Sequence, residues 1–180
     1  KRQVNNVEKF WSLMWDFSEI KGSKGTKISE NMGQMPGARF FPDAKLNYAE
    51  NLLRAADNAI AIEEFREDGF SNALTRKELE SKALKMAGWM KSKGVKKGDR
   101  VCAYMPNCSE TVISMLATSA LGAIFSSCSS DFGVEGVIDR FEQIEPKIMI
   151  AANGYLYNGK VIDRLEAVSY THLTLPTMIG

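Results

Sequence analysis

Residues Gly98–Lys147 read GDRVCAYMPNCSETVISMLATSALGAIFSSCSSDFGVEGVIDRFEQIEPK. Val101–Met105 is a short apolar run of the kind that forms a buried strand. The next segment has helical spacing and runs to Leu121, with Ser109 or Asn107 in position to cap it. Ala123–Ser127 reads as a second strand, Val134–Ile144 as a second helix and Lys147–Ala151 as a third strand. Strands alternating with helices predict a parallel sheet built from right-handed crossovers. The expected fold class is therefore α/β: an incomplete parallel sheet of alternating strands and helices, preceded by a helical N-terminal extension.

Upstream of that stretch, Thr75 and Glu78 form the S/T-x-x-E pattern of a capping box. It opens a helix from Arg76 to Lys93 whose apolar face is Leu79, Ala83, Met86, Ala87 and Met90, and Gly94 stops it. Ile60–Phe65 is a strand, joined by the Glu67-Asp68-Gly69 turn to a second one at Asn72–Leu74. Asn47 caps a short helix to Leu53. Residues 21–45 have weak periodicity and read as a connecting arm. Residues 4–19 read as a helix with Val4, Val7, Phe10, Trp11, Met14 and Trp15 on one face. That stripe either packs against the rest of the protein or stands as an exposed apolar patch.

The 180 residues suffice for one ordinary domain. With 44% hydrophobic and 25% charged residues the composition is globular. Lys and Arg number 23 against 22 Asp and Glu, a net charge of +1, which argues against charge-driven binding to nucleic acid or a lipid surface. No apolar run approaches the ~18–20 residues that cross a bilayer, and Lys1–Phe10 has no signal-peptide core. The expectation is no nucleic-acid partner, no membrane and a cytoplasmic location. The sequence opens without an initiator Met, which reads as a start inside a longer frame.

Cys102, Cys108 and Cys128 are an odd count without C-x-x-C spacing, and read as reduced thiols. A catalytic thiol would want a base, and the sole histidine is His172. Glu63-Glu64 and Glu67-Asp68 read as solvated turn charges. No residue is assigned a catalytic role and none a metal.

Three stretches carry a family resemblance. Leu74-Thr75-Arg76-Lys77-Glu78-Leu79 through Gly94-Val95-Lys96-Lys97-Gly98-Asp99-Arg100-Val101 resembles the first block of the adenylate-forming acyl-CoA synthetases. Phe40-Phe41-Pro42-Asp43-Ala44-Lys45-Leu46-Asn47-Tyr48-Ala49-Glu50-Asn51-Leu52 resembles the N-terminal extension of their short-chain branch. Leu121-Gly122-Ala123-Ile124-Phe125-Ser126-Ser127-Cys128-Ser129-Ser130-Asp131-Phe132-Gly133-Val134 is similar to the acetoacetyl-CoA synthetase group, departing from it where a Pro usually stands near Ser130. The resemblance spans residues 7–167. It implies a ligase joining acetoacetate to CoA through an acyl-adenylate, using ATP and Mg²⁺. It also implies that the chain itself is inactive and binds none of these, because the glycine- and hydroxyl-rich ATP loop, the adenine and ribose motifs and the distal lysine are missing. By the same resemblance, residues 1–57 are the N-terminal extension and 58–167 the first part of the large domain, whose partner is the remainder of its own chain.

Two loops are candidate sites. Asn153–Lys160 reads as a strand-to-helix loop with two glycines and a terminal Lys, which is either an anion cradle beside helix N–H groups or a turn with a solvated lysine. The resemblance places CoA phosphates on Gly159 and Lys160. Ser126–Asp131 has no partner base and no G-x-S-x-G. It reads as a loop with Asp131 capping the next helix, while the resemblance puts Ser130 and Asp131 near the pantetheine path of CoA.

Val161, Ile162, Leu165 and Val168 read as the start of a further helix. The Thr-rich, β-branched text from Val168 is expected to break it, and Pro176 to close it. Val168–Thr177 resembles a translated sequencing adapter, so residues 168–180 are expected to be non-native. Two alternatives stand beside the acetoacetate ligase: a fragment of an acetyl- or propionyl-CoA synthetase, and a stand-alone α/β binding module.

Overall fold

The computed structural model describes residues 6–174, with side chains to Tyr170. Val4, Pro176 and the side chain of His172 lie outside the described residues. Two compact units are present, Lys1–Asn51 and Leu52–Gly180.

In the first unit α1 (Val7–Phe17) starts at Asn6, whose side-chain oxygen accepts from the Lys9 N–H at 2.8 Å. The predicted apolar stripe packs within this unit: Trp11 meets Phe40 edge-on at 5.1 Å, and Trp15 meets Phe41 at 4.9 Å. No residue of α1 is fully buried. The expected connecting arm holds two short antiparallel ladders. β1 (Gly22–Ser23) pairs with β4 (Lys45–Leu46), and β2 (Ser29–Glu30) with β3 (Arg39–Phe40). Asn47 caps α2 (Tyr48–Leu52) by accepting from the Glu50 N–H.

The second unit opens with an antiparallel hairpin, β5 (Ile60–Phe65) and β6 (Ser71–Thr75). The capping box is present. Thr75 Oγ1 accepts from the Glu78 N–H at 3.2 Å, the Glu78 carboxylate accepts from the Thr75 N–H at 2.9 Å, and α3 (Arg76–Ser92) follows. Then come β7 (Arg100–Tyr104), α4 (Ser109–Ala120), β8 (Ile124–Cys128), α5 (Val134–Glu142) and β9 (Ile148–Ala151). The three strands form a parallel sheet in the order β8-β7-β9. The α4 crossover runs outward from β7 to β8 and the α5 crossover runs back from β8 past β7 to β9, and crossovers of one hand that run in opposite directions lie on opposite faces. The side-chain alternation of β7 shows this. Val101 packs with Ile148, Ala117, Ala87 and Met90, on the side of α3 and α4. Cys102 and Tyr104 pack with Met149, Val137 and Phe141, on the side of α5.

Beyond β9 the structure departs from the sequence reading. Residues 154–163 are no loop and no helix start but an antiparallel hairpin, β10 (Gly154–Tyr157) and β11 (Lys160–Asp163). Gly154 lies so close to its partner strand that a Cβ there would stand 2.7 Å from the Ile162 carbonyl oxygen. The helix begins only afterwards, as α6 (Leu165–Thr174), capped by the Asp163 carboxylate at 2.7 Å from the Leu165 N–H. It does not break at Val168. Ala167 and Val168 pack on the Cys102–Phe141 cluster, and tertiary burial overrides the weak helix propensity of the Thr-rich text.

Candidate functional site

In open α/β sheets ligands sit beyond the carboxyl ends of the strands, where the chain departs in opposite directions. β7 is that point here. The loops after β7 and β8 converge with β10 and the β5–β6 turn around a cleft of about 650 Å³. Its walls are residues 64–67, 106–108, 129–131 and 154–157.

One wall is fixed from below. Tyr104, fully buried at the end of β7, points its hydroxyl at the carbonyls of Ser130 and Phe132, at 3.0 and 2.7 Å. Burial pushes that phenol above its ordinary pKa, so it stays a neutral donor. Arg140 stacks on the Phe132 ring at 4.6 Å and steadies the same loop. Ser130 is 1% exposed and its hydroxyl has no hydrogen-bond partner. Such a group has hydrogen-bonding capacity to give to a ligand or a water. Asp131 is exposed on the lining. It does not cap α5, whose N-cap is Gly133 with no side-chain bond.

The opposite wall is built by glutamates read from sequence as solvated turn charges. Glu64 is nearly buried, its side chain 10% exposed, and Oε2 accepts from the Ser109 N–H at 3.0 Å. It thereby caps α4 from across the fold. Neither expected cap does so, because the N-cap residue is Cys108, whose side chain accepts no N–H of the helix start. Arg66 stands 3.7 Å from Glu64 Oε1 and stacks on Phe70 at 3.6 Å. Glu67 reaches the tip of the β10–β11 hairpin, accepting from the Asn158 and Gly159 N–H groups at 2.9 and 3.1 Å.

The four residues singled out from sequence therefore divide. Ser130 and Asp131 line the cleft, with Tyr155 of β10 also on its wall. Gly159 and Lys160 sit at the exposed hairpin tip, outside the lining, joined to the rim through Glu67. The amides available to an anion come from a hairpin turn and not from a helix. Arg164, missed in the sequence, anchors the hairpin: one N–H donates to the Tyr155 hydroxyl at 3.2 Å, and that bond holds the guanidinium above its ordinary pKa. Its Nε is buried without a partner. Among the described residues no group of three or more His, Cys, Asp or Glu gathers to hold a metal, and no helix is long and apolar enough to cross a membrane.

Comparison with known proteins shows the family and the fold. The family model for AMP-binding enzymes matches residues 50–176. An acetoacetyl-coenzyme A synthetase of Rhizobium meliloti is 44% identical over 94% of this chain and 26% of its own length. An acetoacetyl-CoA synthetase of Xenopus tropicalis is 42% identical over 97% of this chain and 27% of its own. A malonamoyl-CoA synthetase of Penicillium aethiopicum is 33% identical over 97% of this chain. The solved acetoacetyl-CoA synthetase of Streptomyces lividans superposes with a TM-score of 0.90 at 35% identity, covering 97% of this chain and 27% of that one. The chain thus spans about a quarter of the length of these relatives.

Proposed function

The chain belongs to the family of AMP-binding enzymes, and from that membership we propose that it is part of a ligase forming acetoacetyl-CoA from acetoacetate, ATP and CoA. In this scheme a carboxylate oxygen of acetoacetate attacks the α-phosphate of ATP and pyrophosphate leaves. The CoA thiolate then attacks the acyl carbon and AMP leaves. The observation that carries the substrate choice is the 44% identity to the Rhizobium acetoacetyl-CoA synthetase over 94% of the chain. The malonamoyl-CoA relative at 33% identity keeps a different short acid as the alternative.

In this scheme the described residues serve CoA and not the acyl-adenylate. The Asn158 and Gly159 amides with Lys160 hold a CoA phosphate, and the free Ser130 hydroxyl with Asp131 borders the pantetheine arm. Mg²⁺ would act as counter-ion to the ATP phosphates, and among the described residues no acidic cluster gathers to hold it. A cytoplasmic setting belongs to the same proposal, supported by Cys102 and Cys128 being buried free thiols. Burial raises them to about 12 and about 11, which leaves them protonated and unreactive.

A chimera tests the reading: this chain replaces the matching 26% of the Rhizobium enzyme. Acetoacetate-dependent pyrophosphate–ATP exchange and CoA-dependent AMP release are expected. A folded chimera that carries out the exchange but releases no AMP on addition of CoA overturns the assignment of these residues to CoA.

A further inference from the structure

The tip of the β10–β11 hairpin is a two-residue turn in which Asn158 and Gly159 hold φ of 50 and 70°. Two adjacent amides turned toward one point make a concavity for an anion. In this chain that concavity is filled. The Glu67 carboxylate sets Oε2 2.9 Å from the Asn158 nitrogen and Oε1 3.1 Å from the Gly159 nitrogen. Two oxygens of one anion on two neighbouring amides is also the arrangement two oxygens of a phosphate would take.

Glu67 differs from a structural cap in two ways. It is exposed, and it sits on a turn, beside Asp68 and Gly69, that lies on the cleft rim. Among the described residues no cation pairs with it, so its hold consists of the two N–H bonds. Lys160, next to the amides, favours whichever anion occupies them.

Resting on the reading of this hairpin as a CoA-phosphate site, we infer that Glu67 is its internal competitor. The carboxylate occupies the amides in the ligand-free chain and leaves when a phosphate of CoA takes them. A phosphate dianion carries more charge and a third oxygen for Lys160, so it wins the exchange. Until it does, Glu67 lowers the fraction of chain ready to bind, and apparent affinity falls in proportion. The β5–β6 hairpin is thereby coupled to CoA: its turn is tied to β10–β11 when the site is empty and released when it is filled.

The test is calorimetric titration of the chimera with CoA and with 3′-dephospho-CoA, its inserted chain being wild type, Glu67→Gln or Glu67→Ala. Both variants are expected to bind CoA roughly three- to tenfold more tightly. If the gain vanishes with 3′-dephospho-CoA, the 3′-phosphate is the competing group; if it persists, the pyrophosphate is, and either result supports the exchange. In amide NMR spectra the Asn158 and Gly159 signals should move at lower inorganic phosphate in the variants than in wild type. CoA binding that is unchanged or weaker in both variants overturns the competition and leaves the site standing. No CoA binding by any of the three proteins removes the site reading, and the competition with it.

Discussion

Glu64 and Glu67 stand on the same β5–β6 hairpin, and each gives its carboxylate to backbone N–H groups far along the chain. Glu64 reaches across 45 positions to Ser109, and Glu67 across 91 to Asn158. One carboxylate is nearly buried at a helix start with an arginine beside it, while the other is exposed over a turn and makes no ion pair among the described residues. Similar bonds thus serve different ends. A buried acceptor cannot be replaced by water without leaving a donor unpaired, so Glu64 is part of the scaffold. An exposed acceptor is replaced readily, so Glu67 is free to exchange.

The largest expected effect concerns the fixed side of the cleft. Tyr104→Phe removes the one hydroxyl serving the Ser130 and Phe132 carbonyls, and should cost about 1–3 kcal/mol in urea unfolding. A smaller change than that would mean the post-β8 loop is held by its own turn. Next, Glu64→Ala takes away the cap of α4 and should destabilise by about 1–2 kcal/mol. Glu67→Ala should leave the urea midpoint nearly unmoved. Equal losses for the two would break the comparison and make Glu67 a scaffold residue.

The smallest effect comes from acid. Asp99 is held below the ordinary range first by the Lys96 N–H and then by Lys147, and Glu78 first by the Thr75 N–H. Folded values below the unfolded ones mean that this stabilisation is complete above about pH 4.5 and drains away as pH falls through the folded pKa values. Urea midpoints should decline over that acid window, and Asp99→Asn should flatten part of the decline. An unchanged slope in Asp99→Asn would remove Asp99 from the acid response.

The parallel core and the capping box were legible because they rest on local signals. β7 announces itself as an apolar run, and Thr75 and Glu78 stand one helical turn apart. The site was legible only in part. Asn158-Gly159 between Gly154–Tyr157 and Lys160–Asp163 is a hairpin signature, and reading it as a loop missed the turn whose amides matter. Asn107, Ser109 and Asp131 were chemically suited to be caps, but a cap also needs the right backbone geometry, and a distant glutamate had taken one of those places. Partners 45 and 91 residues away leave no local trace, which is why Glu64 and Glu67 read as solvated. Val168 shows the converse error: propensity spoke against a helix that core packing supplies.

The amino-terminal edge of the parallel sheet is stitched by two cations. Arg100, at the start of β7, donates to the Ile144 and Glu145 carbonyls at 2.6 and 3.1 Å. Lys147, leading into β9, donates to the Gly94 carbonyl at 2.6 Å and to Asp99 at 3.1 Å. Both cations fasten the ends of helices to the ends of strands on one side of the sheet. The base of this sheet therefore acts like the rivet of a hand fan, holding the three ribs in register.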